Sequence, residues 1–265
     1  HSEFKENAFQ PRISEEDVCN IMATDVSNHH KMLLLLGIGM FTDENHATRA
    51  INQPEFFNTF SQMGAKKGFV VMSMWGCGGT SVATIKPFKK LDDLKGRKIR
   101  VLATPLERAV IGSLGATGVP IPYSEVLPSM QRKTIDGVRS SIGVMHPSKF
   151  WTVAKHITLT GMAQITCGSF TSTAFLNKLP KDLKKVVTDA AKASTVHAGK
   201  WGHDLTRAAE KKWAGEKGAF VYKLSAPEQK ELISRVRPIG DRILGEDPKT
   251  KDIYAMLKKA AAATR

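Results

Sequence analysis

The 265 residues hold no unbroken apolar run of the roughly 18 residues a membrane-spanning helix needs. The most apolar stretch, MLLLLGIGMF at 32–41, is short and contains two glycines, so it reads as a buried helix end or strand. Cysteine is scarce: Cys19, Cys77 and Cys167 stand far apart with no C-x-x-C pair, which suggests neither a zinc site nor a redox motif. They are expected as buried small hydrophobic side chains, and an odd count leaves at least one thiol without an intramolecular partner. No H-E-x-x-H, G-x-S-x-G or P-loop motif occurs, and the pairs Asp92–Asp93 and His29–His30 are chain neighbours on solvated surface, not converging dyads. Catalysis, a metal and a cofactor therefore have no sequence support. Also lacking is a secretory leader, because the opening HSEFKENAFQ is polar. Either processing has removed a signal peptide or the chain was produced without one, and on this point alone a cytoplasmic protein stays open.

Basic charge is abundant. Lys and Arg exceed Asp and Glu by 14, and the pI is about 9.7. Such an excess points to nucleic acid, an anionic surface or acidic small ligands. The charge is dispersed, however, and even the densest region, Lys89–Arg100, is interrupted by Asp92 and Asp93. A dispersed basic surface reads as solubility and weak steering before it reads as a nucleic-acid footprint.

Strand and helix patterns alternate, which predicts an α/β fold. GFVVMSMWG (68–76) and RKIRVLA (97–103) read as strands, separated by turn chemistry and a short helix that Gly96 can close. TPLERAVIGSLGA reads as a helix on the spacing of Leu106, Val110, Ile111 and Leu114. VPIPY (119–123) is expected to be extended because residues before proline avoid the helical region. A helix should follow with Ser124 as N-cap and Pro128 in its first turn, and IDGVRSSIGV should return to an extended state with Gly137 at a turn or close approach. From Pro180 an apolar spacing through Leu183, Val186, Val187, Ala190, Ala191, Val196, Trp201, Leu205, Ala208 and Trp213 predicts one long helix ending at Gly215–Gly218. At 1.5 Å per residue it would reach about 50 Å, enough to brace two lobes. AFVYKL then gives a strand, and Ser225 with Glu228 forms a capping box for a C-terminal helix.

Four blocks in order, KPFKKLDDLKGRKIRV, LGATGVPIPYSEVLPSMQRKTIDGV, KFWTVAKHITLTG and FLNKLPKDLKKVV, resemble the solute-binding proteins of tripartite ATP-independent periplasmic (TRAP) transporters, dicarboxylate-binding type. The likeness runs from about Phe69 to the C-terminus. It implies an α/β, two-lobed, periplasmic-binding-protein-like "Venus flytrap" with a long bridging helix. The implied division is 1–76 for the N-terminal part of lobe I, 77–165 for lobe II, 166–205 for the return to lobe I and the bridging helix, and 206–265 for C-terminal helices packing on lobe II. The first elements of lobe I look absent or divergent. The likeness also implies a bacterial periplasmic protein, not an enzyme, that captures a small organic acid for membrane permease subunits.

Site residues follow from the same likeness. Arg100 ends the KIR strand where the family's arginine pairs with a ligand carboxylate; a planar guanidinium offers two parallel donors to two oxygens. Thr80, in the glycine-rich GCGGTSVAT segment read as a loop, would offer a hydroxyl and backbone N–H groups. Ser140 is expected as a second polar contact, with Arg139 on the opposite strand face; an inward Arg139 would suit a second carboxylate. Tyr123 would form a wall and donate its hydroxyl, and Trp75, Phe170 and Thr173 are further wall candidates. Two other functions stay open: a sensor or scaffold using the same fold, and, from charge alone, a nucleic-acid binder.

Overall fold

The computed structural model describes residues 38–265. The readings on Cys19, His29, His30, the start of the apolar run and the first elements of lobe I lie outside the described residues. Of that run, Ile38, Met40 and Phe41 are buried.

Two helices, α1 (Glu44–Ile51) and α2 (Pro54–Gln62), precede strand β1 (Phe69–Thr84). Next come β2 (Lys98–Val101), α3 (Pro105–Ser113), β3 (Thr117–Pro120), α4 (Val126–Gln131), β4 (Gly137–Ser141) and α5 (Ile142–Met145). The chain continues through β5 (His156–Ser172), α6 (Thr173–Lys178), α7 (Lys181–Gly215), β6 (Phe220–Lys223), α8 (Ala226–Gly245) and α9 (Lys251–Ala263). The strands form one mixed sheet in the order β3-β2-β4-β1-β5-β6. β2 runs parallel to β3 and β4, β1 is antiparallel to β4 and β5, and β6 is parallel to β5.

The frame is the pair β1–β5, 16 and 17 residues long, in register from Phe69↔Ser172 to Thr84↔His156. The expected short strand followed by a glycine loop is corrected: β1 passes straight through Gly76–Thr80. Strand β5 pairs Gly76 and Gly79, β4 joins from Thr80, and the glycine run is absorbed as register shifts at Gly76/Gly79 and Gly79/Ser81, with Gly78 at φ +91°.

Alternate β1 side chains feed two cores. Val82 joins Ile99, Val101, Leu106, Val110 and the apolar faces of α1, α2, α8 and α9. Ala83 joins Val138, Ile157, Met130, Ile142 and the end of α7 at Trp213. A smaller cluster, Val70, Met72 and Leu176 with Val187 and Ala191 against it, covers the far end of the long strands.

The long helix is as expected, 35 residues from Lys181 to Gly215 with Pro180 as N-cap. Its contact face is not. Leu183, Val186, Val196 and Trp201 of the expected stripe are exposed, whereas Gly199, Gly202, Thr206, Ala209 and Trp213 are buried. Two glycines let the helix lie directly on β1: a Cβ at Gly202 would stand 2.9 Å from the Gly76 carbonyl oxygen. Two caps also differ from expectation. Ser124 sits inside a short 3-10 turn, and α4 starts only at Val126. Ser225 does cap α8, but the Glu228 carboxylate accepts from the backbone N–H of Leu91 at 2.7 Å and so ties α8 to the loop before β2.

The cysteine expectation is overturned. Cys77 and Cys167 form a disulfide across the β1–β5 pair beside the register shifts. Ninety positions separate them in the chain, and only strand pairing brings them together.

Candidate functional site

β2 is short and central, and parallel to both neighbours, so its C-terminal end opens beside the starts of α3 and the loop after β3. In open α/β sheets such ends are where ligands bind. Arg100 stands there, in register with Val138 and Val119, and is buried. Its Nε donates to the carbonyl of Ile121 at 3.0 Å, and the guanidinium lies 5.5 Å from the centre of the Tyr123 ring. Among the described residues its two terminal nitrogens make no hydrogen bond and no ion pair. Burial pushes the guanidinium below the ordinary arginine range, while the charges of Glu107 and Tyr123 act against that shift.

Tyr123 is set by its own contacts. Its hydroxyl donates to the Val144 carbonyl at 3.2 Å and shares a hydrogen bond of 3.0 Å with Ser148 Oγ, while its ring packs 5.2 Å from that of Phe150. Burial raises its pKa; the Ser148 hydrogen bond and the Arg100 charge pull it down.

Arg139 and Ser140 separate as strand alternation requires. Ser140 pairs with Ser81 across the sheet and shares the face of Val138 and Arg100. Arg139 is buried on the other face, where its Nη1 pairs with the carboxylate of Glu107. The Nε and Nη2 atoms of Arg139 are buried without a hydrogen-bond partner. Glu107 escaped the sequence reading because a Glu in a first helical turn ordinarily serves the helix dipole. Here Thr104 caps α3 by accepting from the Glu107 backbone N–H at 3.0 Å, and the side chain turns inward.

The remaining candidates lie elsewhere. Thr80 is a buried strand residue: its Oγ1 accepts from Ala163 N–H at 3.2 Å, and its carbonyl accepts from Thr160 Oγ1 at 2.8 Å. It lines a cavity of about 410 Å³ at the register shifts, together with Ser81, Thr160, Gln164, Thr206 and Gln229. Neither Arg100 nor Tyr123 lines that cavity. Trp75 packs beneath Gly199 and Gly202 of α7, with its indole N–H buried and unpartnered. Phe170 and Thr173 belong to the far half of the long strands: Phe170 is opposite Val71, and the Thr173 N–H donates to the Gly68 carbonyl. The structure thus brings Arg100, Tyr123 and Ser140 to one sheet face and pairs Arg139 with Glu107 on the other. Thr80, Trp75 and Phe170 stand on the β1–β5 pair, and Thr173 opens α6 just after it.

The sequence model described as "Bacterial extracellular solute-binding protein, family 7" matches residues 39–247. The chain belongs to this family. A solute-binding protein of Verminephrobacter eiseniae is 30% identical over 157 residues, covering 58% of this chain and 46% of that protein. The chain spans about half the length of the curated relatives it matches. Among solved structures, the periplasmic ectoine-binding protein of the TeaABC TRAP transporter of Halomonas elongata superposes with a TM-score of 0.80 at 21% identity, over 90% of this chain and 78% of that one. A TRAP periplasmic solute-binding protein of a Bradyrhizobium species, in complex with galacturonate, gives 0.81 at 22% identity, over 94% and 85%. The family 7 chain therefore has the two-lobed periplasmic-binding-protein fold, with α7 as its long helix.

Proposed function

We propose that this family 7 protein is the extracytoplasmic receptor of a TRAP transporter, and that it holds a small organic acid by its carboxylate for delivery to membrane permease subunits. One observation carries the reading: Arg100 is a buried residue at the C-terminal end of an inner parallel strand, and among the described residues its two terminal nitrogens have no hydrogen-bond or ion-pair partner. Burying a charge without a partner is costly, and a bound carboxylate would supply that partner through two parallel hydrogen bonds. Ectoine and galacturonate, named for the two structural neighbours, both carry a carboxylate.

In this reading the division is lobe I in 1–76, lobe II in 77–165, a return with the bridging helix in 166–205, and lobe II helices in 206–265. The shifted register at Gly76–Ser81 supports a hinge near the first boundary. Residence would be periplasmic. Ser140 and Tyr123 would line the ligand beside Arg100. Trp75, Phe170 and Thr173 would face it from the other lobe, and Thr80 would act as a structural residue of the hinge.

A thermal-shift screen against organic acids identifies the ligand class, since binding to the native state raises the melting temperature. Calorimetry then compares variants. Arg100→Ala should weaken binding by about 2–5 kcal/mol, roughly 30-fold or more, with an unchanged circular dichroism spectrum. Arg100→Lys should recover part of the loss. Unchanged affinity in Arg100→Ala would sink the proposal.

A further inference from the structure

The cavity of about 410 Å³ at the register shifts of the β1–β5 ribbon is within the size range of small-molecule sites. Its rim includes Thr42, Asp43, Arg207 and Lys223, all exposed. Its floor is buried and consists of Thr80, Ser81, Thr160, Gln164 and Thr206. Glycine makes the room. A Cβ at Gly79 would stand 3.3 Å from the Gly161 Cα and 3.5 Å from Gln164 Nε2, so a side chain there would crowd the amide.

Gln164 points to a ligand. It is 5% exposed and lines the cavity, and its Oε1 is buried with no hydrogen-bond partner among the described residues. Buried amides are normally paired, because an unpaired one forfeits its bonds to water and gains nothing in return. The rest of the floor is held in place and still has capacity. Gln229 Nε2 donates to the Thr160 carbonyl at 2.7 Å and fixes α8 against β5. Thr160 Oγ1 donates to the Thr80 carbonyl at 2.8 Å and keeps lone pairs that can accept. Thr80 Oγ1 accepts from the Ala163 N–H at 3.2 Å and keeps a proton to donate.

The lining selects the class of ligand. The buried floor carries no charge, and the charged lining residues are of both signs, Asp43, Glu44 and Glu210 against Arg207 and Lys223. An ion drawn onto that floor would find no counter-charge there. Donors and acceptors are both present, and a hydroxyl answers both, whereas a carboxylate only accepts and an ammonium only donates. We propose that this cavity binds an uncharged polyhydroxy compound, a neutral sugar or cyclitol, with the Gln164 amide set across two of its hydroxyls. Neither Arg100 nor Tyr123 lines the cavity, so this is a second site, and it does not rest on the receptor reading.

Saturation-transfer NMR and calorimetry on the full chain test it, with D-glucose, myo-inositol and D-mannitol as neutral probes and protonated D-glucosamine as a charged one. At least one neutral probe should bind, and D-glucosamine should bind more weakly than D-glucose. Gln164→Leu keeps the approximate bulk and takes an unpaired amide out of the interior, so it should fold as the native chain does. It should weaken the neutral probe about tenfold or more. No binding by any neutral probe, an equal or tighter D-glucosamine complex, or an affinity unmoved by Gln164→Leu each overturns the proposal. A crystal of the native protein soaked in the tightest probe should show that probe against Gln164. Water alone in the cavity overturns the proposal, and this result decides even if the variant fails to fold.

Discussion

Glycine does two different jobs at two helical positions. At Gly202, on the buried face of α7, it removes the side chain that would press on the Gly76 carbonyl, 2.9 Å from an added Cβ. A valine there must push the helix off β1, so Gly202→Val should lower stability by about 1–3 kcal/mol, read as a reduced urea midpoint. Gly112 in α3 is the contrast: no atom stands within 4 Å of an added Cβ, and its φ is not positive. Gly112→Ala should raise stability by about 0.5–1 kcal/mol through helix propensity and a less free unfolded chain. Composition shows both as helical glycines. The surroundings that give their substitutions opposite signs come from other parts of the chain. Glu107 makes the same point: its cap by Thr104 is a local pattern, yet its ion pair with Arg139 spans 32 positions.

Among the elements, β1 and β5 act as one long ribbon. Their pairing is interrupted beside the Cys77–Cys167 bridge, where Gly78 has a positive φ and the Cys77 carbonyl accepts from Ser141 Oγ at 3.2 Å. A covalent link between positions 90 apart restricts the unfolded chain. Replacing both cysteines by serine should cost about 2–5 kcal/mol, seen as a lowered melting temperature that the native protein reproduces under reductant. Strand β2, helices α3 and α7 and strand β6 were legible because each has a local period and a local stop signal. The passage of β1 through Gly76–Thr80 was not, because pairing to β5, joined by β4 from Thr80, overrides a composition that by itself favours a turn. The exposed half of α7 was misread for a related reason: apolar spacing identifies a helix, whereas the face that is buried depends on which surface lies beside it.

For the molecule as a whole, the bulged ribbon and the 35-residue helix α7 are the connections along which two lobes would move. If the receptor reading holds, a bound acid should shut the lobes, and small-angle scattering should show a smaller radius of gyration with ligand than without. Arg100→Ala should abolish that change at ligand concentrations that saturate the native protein. An unaltered scattering curve, with binding shown by calorimetry, would point to a site without closure. The excess of 14 positive charges bears on solubility and on the arrival of anions, both long-range effects of a field summed over the surface.

The amino-acid order alone determined the alternation of elements, the long helix and the strand that carries Arg100, because periodicity, caps and breakers act within a few residues of one another. The family likeness in the four blocks was legible for the same reason, since each is a contiguous segment. Tertiary structure decided what depends on distant partners: the Cys77–Cys167 bridge, the separation of Thr80 from Arg100, the buried face of α7 and the pairing of Arg139 with Glu107. The physical cause is that desolvation and charge pairing are set by what surrounds a group in space. A linear pattern shows that Arg100 is a cation, and only the folded sheet makes it a buried one.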